Sequence, residues 1–76
     1  MVELQLLDAR GMNCPLPLLK LKQRLNQMTV GERVQVKTTD PGSVRDFAAF
    51  IQQTGHCLHE QHQMDGEYLF LIEKLV

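Results

Sequence analysis

Cys14 is the residue whose neighbours best suit reactive chemistry. It opens Cys14-Pro15-Leu16-Pro17, directly before an amphipathic stretch. Two prolines this close fit a helix only in its first turn, where backbone N–H groups have no helical partner. Pro15 at the first helical position makes Cys14 the N-cap, and Pro17 disfavours helical angles at Leu16, which delays the helix start by a residue or two. The helix dipole and Arg10 then favour a thiolate, so we expect a pKa below that of a free thiol.

Several kinds of chemistry use a thiolate at a helix start. A thioredoxin-type pair needs a CxxC spacing that Cys14 and Cys57 lack, and a cysteine protease needs a base and an oxyanion hole in a cleft. Without N–H groups at Pro15 and Pro17, the first turn binds anions poorly, but it is a rigid and exposed turn that can hold the Cys14 sulfur at the surface. Presentation of sulfur to another protein fits best, and an unreactive capping Cys is the alternative.

The second cysteine lies in the His-rich segment His56-Cys57-Leu58-His59-Glu60-Gln61-His62. Strand alternation places Cys57 and His59 on one face and His56 and His62 on the other. At most two ligands converge, whereas a structural zinc site takes four, so we predict no metal site. Cys57 is interpreted as a half-buried small apolar residue, with a second sulfur site as the alternative.

Length and composition indicate one domain over residues 1–76, too short for a deep cofactor pocket beside a core. We therefore expect no bound cofactor and chemistry on the surface. The longest apolar stretches are far below the ~20 residues that span a bilayer, and no secretory signal is recognised, so we expect a cytoplasmic protein without membrane contact.

Charge is uneven along the chain. The net charge of −1 argues against direct nucleic-acid binding. Between residues 10 and 24, however, there are four basic residues and no acid: Arg10, Lys20, Lys22 and Arg24. This segment is either a solvated helix face or a docking patch for an acidic protein partner.

Hydrophobic periodicity predicts the element order βαβαββ. Strands are predicted at 2–7, 33–39, 56–64 and 67–75, and helices at 15–28 and from Asp40 or Ser43 to Gly55. Asp65-Gly66 predicts a tight hairpin. The apolar faces are predicted to contain Val2, Leu4 and Leu6 in the first strand, Leu18, Leu21, Leu25 and Met28 in the first helix, Val34 and Val36 in the second strand, and Val44, Phe47, Ala48 and Ile51 in the second helix.

This order predicts an α+β fold. Because strand-helix-strand crossovers are right-handed, both helices lie on one face of a mixed four-stranded sheet, giving a two-layer α/β sandwich. Both rows of the last strand are apolar, so one row must lie on the open face. We expect a monomer, with this face as a candidate for weak self-association or partner binding.

The segment Leu7-Asp8-Ala9-Arg10-Gly11-Met12-Asn13-Cys14-Pro15-Leu16-Pro17-Leu18 resembles the signature of the TusA/SirA-like sulfur carriers, whose hallmark is Cys-Pro-x-Pro. The resemblance extends to Asp40-Pro41, Arg45-Asp46, Asp65-Gly66 and the βαβαββ order. It implies that Cys14 accepts sulfane sulfur as a persulfide, from a cysteine desulfurase or rhodanese-type donor, and passes it to an acceptor protein.

The same resemblance implies roles around Cys14. Asp8, Arg10 and Gly11 match the family's Asp-x-Arg-Gly turn and are candidates for shaping the loop and the partner surface. Lys20 and Arg24 are candidates for the same partner surface because of their positive charge. The protein is then a sulfurtransferase-like relay and not a stand-alone enzyme, in a pathway such as tRNA thiolation, molybdenum-cofactor maturation or sulfur oxidation. The alternatives are a non-catalytic regulatory module and an RNA-binding domain of the same architecture.

Overall fold

The computed structural model describes residues 4–76 and has the expected order of helices and strands. No helix within this range is long and apolar enough to cross a membrane. The helices and strands of the protein are β1 (Leu4–Ala9), α1 (Leu16–Asn26), β2 (Arg33–Thr38), α2 (Gly42–Thr54), β3 (Cys57–Met64) and β4 (Glu67–Glu73).

The four strands form one mixed sheet in the order β1-β2-β4-β3. β2 pairs parallel with β1 and antiparallel with β4, and β3 pairs antiparallel with β4. Both helices pack on one face of this sheet and leave the other face open, which confirms the predicted two-layer α+β fold.

The core lies between the helices and the sheet. Phe47 of α2 and Phe70 of β4 are fully buried, with ring centroids 4.6 Å apart. Val34 and Val36 of β2 are also fully buried, as the alternation predicted. Removing each such side chain from water contributes about 1.5–3 kcal/mol, so this cluster holds α2 on the sheet.

The buried face of β1 is the opposite of the one predicted from the sequence. Leu7 and Ala9 are buried, whereas Leu4 and Leu6 lie on the open face and are 53% and 68% exposed. The parallel register pairs Leu7 with Val36, and a shift of one residue exchanges the two faces. Val2 lies outside the described residues.

The apolar stripe of α2 also differs from the prediction at one position. Phe47 is buried and Val44 and Ile51 pack against the core, but Ala48 is exposed. Phe50 packs against the core in addition. Because helical positions advance by 3.6 residues per turn, a small shift of the buried stripe exchanges these neighbours.

Two turns follow the sequence signals. Asp65 and Gly66 have φ values of 54° and 78°, as in a type I′ hairpin, and they join β3 to β4. Gly55, with φ of 88°, ends α2 in the left-handed conformation, and its N–H donates to the Ile51 carbonyl.

Candidate functional site

Cys14 is exposed in the loop between β1 and α1, immediately before a proline-bounded helix start. The helix begins at Leu16, with Pro15 as its N-cap and Pro17 at the second helical position. The predicted N-cap role of Cys14 is therefore wrong, because Pro17 moves the start by a residue, the delay that the sequence indicated. The Cys14–Pro15 peptide bond is cis.

Asp40 connects the Cys14 loop to the start of α2. Its Oδ2 accepts the backbone N–H of Cys14 at 2.8 Å, and its Oδ1 accepts the N–H of Gly42 at 3.3 Å. Neither Asp40 nor Ser43 is the N-cap of α2, since Pro41 holds that position. Asp40 acts from one residue earlier, so one carboxylate fixes two loops that are far apart in the sequence.

A pair of buried hydroxyl groups is hydrogen-bonded, through Ser43, to the backbone carbonyl of Asp40. Ser43 Oγ donates to the Asp40 carbonyl at 2.7 Å and lies 2.6 Å from Thr38 Oγ1. Because the single hydroxyl proton of Ser43 is used on Asp40, Thr38 must be the donor to Ser43. This chain of bonds ties the end of β2 to the first turn of α2.

Asp46 of α2 is the direct partner of the Cys14 sulfur. The thiol donates to Asp46 Oδ2 over 2.6 Å. This hydrogen bond raises the pKa of the Cys14 thiol, as do desolvation and the charges of Asp46 and Asp40, while Arg45 lowers it. The expected thiolate with a depressed pKa is therefore wrong, because the carboxylate contact stabilises the protonated thiol.

Arg10 does not supply the positive charge that was expected to favour the Cys14 thiolate. Its guanidinium bonds to both carboxylate oxygens of Asp8, each at 2.9 Å, and to Glu67 Oε2 at 3.3 Å. These carboxylates raise the pKa of Arg10, and the Arg10 bonds lower the pKa of Asp8 to about 2. The pair instead joins the β1–α1 loop to the start of β4.

Gly11 completes this turn. It has φ of 78°, a conformation that favours glycine, and its N–H donates to Thr39 Oγ1 at 2.9 Å. Asp8, Arg10 and Gly11 thus fix the path of the chain that leads to Cys14.

The basic residues of α1 divide between two sides of the helix. Lys20 and Arg24 border a groove of about 260 Å³ that is also lined by Asp8 and Met12. Arg24 is tied to β1, since Nη1 donates to the Leu6 carbonyl at 3.1 Å. Lys22 lies over the Phe50 ring, 5.5 Å from its centroid, towards α2. These charges are not one continuous patch.

Asp40 and Asp46 are the site residues that sequence reasoning missed. Both belong to motifs that carried the family resemblance, Asp40-Pro41 and Arg45-Asp46, yet neither was assigned to the cysteine. The only available signal was their resemblance to the family pattern, because the contacts depend on how α2 packs. Within residues 4–76, no group of three or more His, Cys, Asp and Glu side chains is arranged to hold a metal ion.

The fold and the site define a small α+β protein that presents an exposed cysteine ahead of a proline-bounded helix. A family model described as sulfurtransferase TusA matches residues 5–74. The sulfur carrier protein TusA of Allochromatium vinosum is 53% identical over 70 residues, covering 92% of each chain. TusA of Pseudomonas aeruginosa is 39% identical over 69 residues, covering 91% of this chain and 87% of that protein.

A solved structure agrees on the fold. The SirA-like protein of Desulfitobacterium hafniense superposes with a TM-score of 0.82 at 22% identity, covering 97% of this chain and all of that one. The chain belongs to the TusA sulfurtransferase family, which confirms the resemblance found in its sequence.

Proposed function

We propose that this protein is a cytoplasmic sulfur carrier that holds sulfane sulfur as a persulfide on Cys14. The observation that carries the proposal is the exposed Cys14, fixed through its own N–H by Asp40, in a chain 53% identical to a sulfur carrier protein over 92% of its length. The sulfur lies on the surface, so a partner's cysteine can approach it without entering a cleft.

Loading is a sulfur exchange between two proteins. The Cys14 sulfur attacks the outer sulfur of a donor persulfide, forming a new S–S bond while the donor's S–S bond breaks and the donor leaves as a thiolate. The thiol proton passes to Asp46, whose Oδ2 already accepts it in a hydrogen bond. Delivery repeats the exchange with Cys14 as the leaving thiolate and an acceptor cysteine as the nucleophile.

The partners follow from this chemistry. The donor is a persulfide-bearing protein, a cysteine desulfurase or a rhodanese-type protein, and the acceptor presents a reactive cysteine of its own. The end point belongs to a sulfur pathway such as tRNA thiolation, molybdenum-cofactor maturation or sulfur oxidation. Lys20 and Arg24, beside the groove next to the Cys14 loop, are the proposed contacts for an acidic partner surface.

Intact-protein mass spectrometry after incubation with a cysteine desulfurase and cysteine tests the proposal. The wild-type protein should gain a sulfur atom on Cys14, located by peptide mapping. Cys14→Ser should gain none at position 14 because a hydroxyl cannot form a persulfide, whereas Cys57→Ser is the matched control and should load normally at Cys14.

A regulatory or binding module gives a different result. In that case neither the wild-type protein nor Cys57→Ser acquires sulfur at position 14 from any persulfide donor. Unchanged donor-dependent sulfur incorporation in Cys14→Ser would likewise exclude Cys14 as the carrier residue.

A further inference from the structure

A second thiol site lies on the open face of the sheet, at the start of β3. Cys57 Sγ is 3.8 Å from Nδ1 of His59, and Nε2 of the same ring is 2.7 Å from Oε1 of Glu73. Arg33 Nε lies 3.4 Å from the same Glu73 oxygen. The three side chains Cys57, His59 and Glu73 are called the β3 thiol cluster below.

Strand pairing places this cluster. Cys57 pairs with Glu73, and Glu73 pairs with Arg33, so the three residues occupy one row across β3, β4 and β2. The register then skips from Leu58 to Glu60, which leaves His59 at a β-bulge without a partner in the described ladder. Bulges redirect side chains, and here the imidazole spans the space between Cys57 and Glu73.

The hydrogen bonds assign the proton positions on the ring. Glu73 accepts at neutral pH, since the bonds and charges of His59 and Arg33 lower its pKa. Nε2 must therefore carry the hydrogen, and Nδ1 of a neutral ring presents its lone pair to Cys57 Sγ. This is the order nucleophile, base and orienting carboxylate that activates cysteine and serine nucleophiles elsewhere.

The cluster is separate from the Cys14 site. Cys14 lies in the loop that follows Ala9, the last residue of β1. Cys57 instead shares its row with Leu4, the first described residue of β1, through Glu73 and Arg33. The six residues of β1 span roughly 20 Å, so the two sulfurs lie towards opposite ends of the sheet. Cys57 is thus not placed to resolve a bond formed at Cys14.

We propose that Cys57 is a second nucleophilic thiol, activated by His59 and Glu73, that exchanges with the S–S bond of a small disulfide or persulfide. His59 Nδ1 takes the thiol proton, and Cys57 attacks one sulfur of the small molecule. A new S–S bond forms on Cys57 while the original S–S bond breaks, and the leaving thiolate departs into solvent. No electrons are gained or lost overall, and the imidazolium is balanced by Glu73.

Exchange is the reaction class that this setting favours. It requires a thiolate, a proton acceptor and access to the sulfur. His59 Nδ1 is the proton acceptor beside the sulfur, and Cys57 is partly exposed on the face of the sheet that the helices leave open. A small disulfide leaves its thiol half on Cys57, whereas a small persulfide leaves its outer sulfur. This inference extends beyond the proposed function and does not depend on it, since it concerns the other cysteine.

The test uses Cys14→Ser protein, in which Cys57 is the remaining cysteine. Reaction with a chromogenic aromatic disulfide is followed by the released thiolate between pH 6 and 9 (about the range in which imidazole and thiol groups titrate). His59→Ala in this background should slow the reaction at neutral pH by at least about threefold and change the shape of the pH profile, because the neighbouring base is removed. His62→Ala is the matched control, because His62 bonds instead to Glu60 on the same strand.

Product analysis separates the two kinds of S–S reagent. Oxidised glutathione should give a mixed disulfide on Cys57, and glutathione persulfide should add a sulfur atom there, as seen by peptide mass mapping. Equal rates and equal pH profiles for the His59→Ala and His62→Ala variants would overturn the proposal. So would the absence of both products in Cys14→Ser protein whose circular dichroism spectrum is unchanged. Neither result bears on sulfur loading at Cys14.

Discussion

The buried hydroxyl pair of Thr38 and Ser43 gives a stability prediction that tests how the Cys14 loop is held. Thr38 is fully buried and Ser43 is 1% exposed, and their oxygens are 2.6 Å apart. Ser43→Ala leaves the Thr38 hydroxyl without its acceptor and removes a bond to the Asp40 carbonyl. An unsatisfied buried donor costs about 1–3 kcal/mol, so we expect a loss of unfolding free energy in this range.

Thr38→Val should cost less. The replacement has nearly the same shape, and Ser43 keeps its own bond to the Asp40 carbonyl, so the expected loss is about 0.5–1.5 kcal/mol. The double variant Thr38→Val/Ser43→Ala should lose less than the sum of the two single changes, because no hydroxyl is left buried without a partner.

Urea unfolding followed by far-ultraviolet circular dichroism measures these differences. Each 1 kcal/mol should also lower Tm by about 4–8 °C in a domain of this size. If Thr38→Val costs as much as Ser43→Ala and the two effects add, the hydroxyls stabilise the fold independently and the hydrogen bond between them is refuted as the cause.

Three further predictions concern charged groups. Asp46→Asn should lower the pKa of Cys14 and speed its alkylation by iodoacetamide near neutral pH, and an unchanged rate would show that the carboxylate contact is unimportant. Asp8→Asn should make the protein lose less stability in acid. The pKa of Asp8 is lowered from 3.8 to about 2, so its contribution to stability is present above pH 3.8 and disappears as the pH falls towards 2. Urea unfolding at several pH values measures this difference. Lys20→Glu should slow sulfur transfer from the donor protein without changing alkylation of Cys14, whereas a transfer rate indifferent to this reversal and to salt would mark the groove as a solvated surface.

Periodicity was sufficient where one face of an element is clearly apolar. Val34 and Val36 alternate with polar residues, so their burial followed from the sequence, as did the hairpin at Asp65-Gly66. In β1, Leu6 and Leu7 are adjacent leucines on opposite faces, and the choice between them depends on pairing with β2. A register between distant strands is not encoded in local alternation.

The contacts of Cys14 also depend on residues that are distant in the sequence. The sequence correctly indicated a helix whose start is delayed by Pro17, but the thiol's partner Asp46 is 32 residues away. Its contact exists because α2 packs beside α1 on the same face of the sheet. The helix dipole alone predicts a lowered pKa for the Cys14 thiol, whereas the direct contact with the Asp46 carboxylate raises that pKa.

A raised pKa is consistent with the proposed carrier role when the two kinds of encounter are compared. A small electrophile in solution reacts with the thiolate, so the Asp46 bond slows unwanted reactions at Cys14. In the proposed exchange, a docked donor protein would displace water around the loop and hold its persulfide at the sulfur while Asp46 accepts the proton. Proximity then compensates for the smaller thiolate fraction, and it does so only within the correct complex. Under these two proposals, the carboxylate at Cys14 favours transfer between bound proteins over reaction with free molecules. The β3 thiol cluster instead pairs its cysteine with an imidazole, which favours reaction with free molecules.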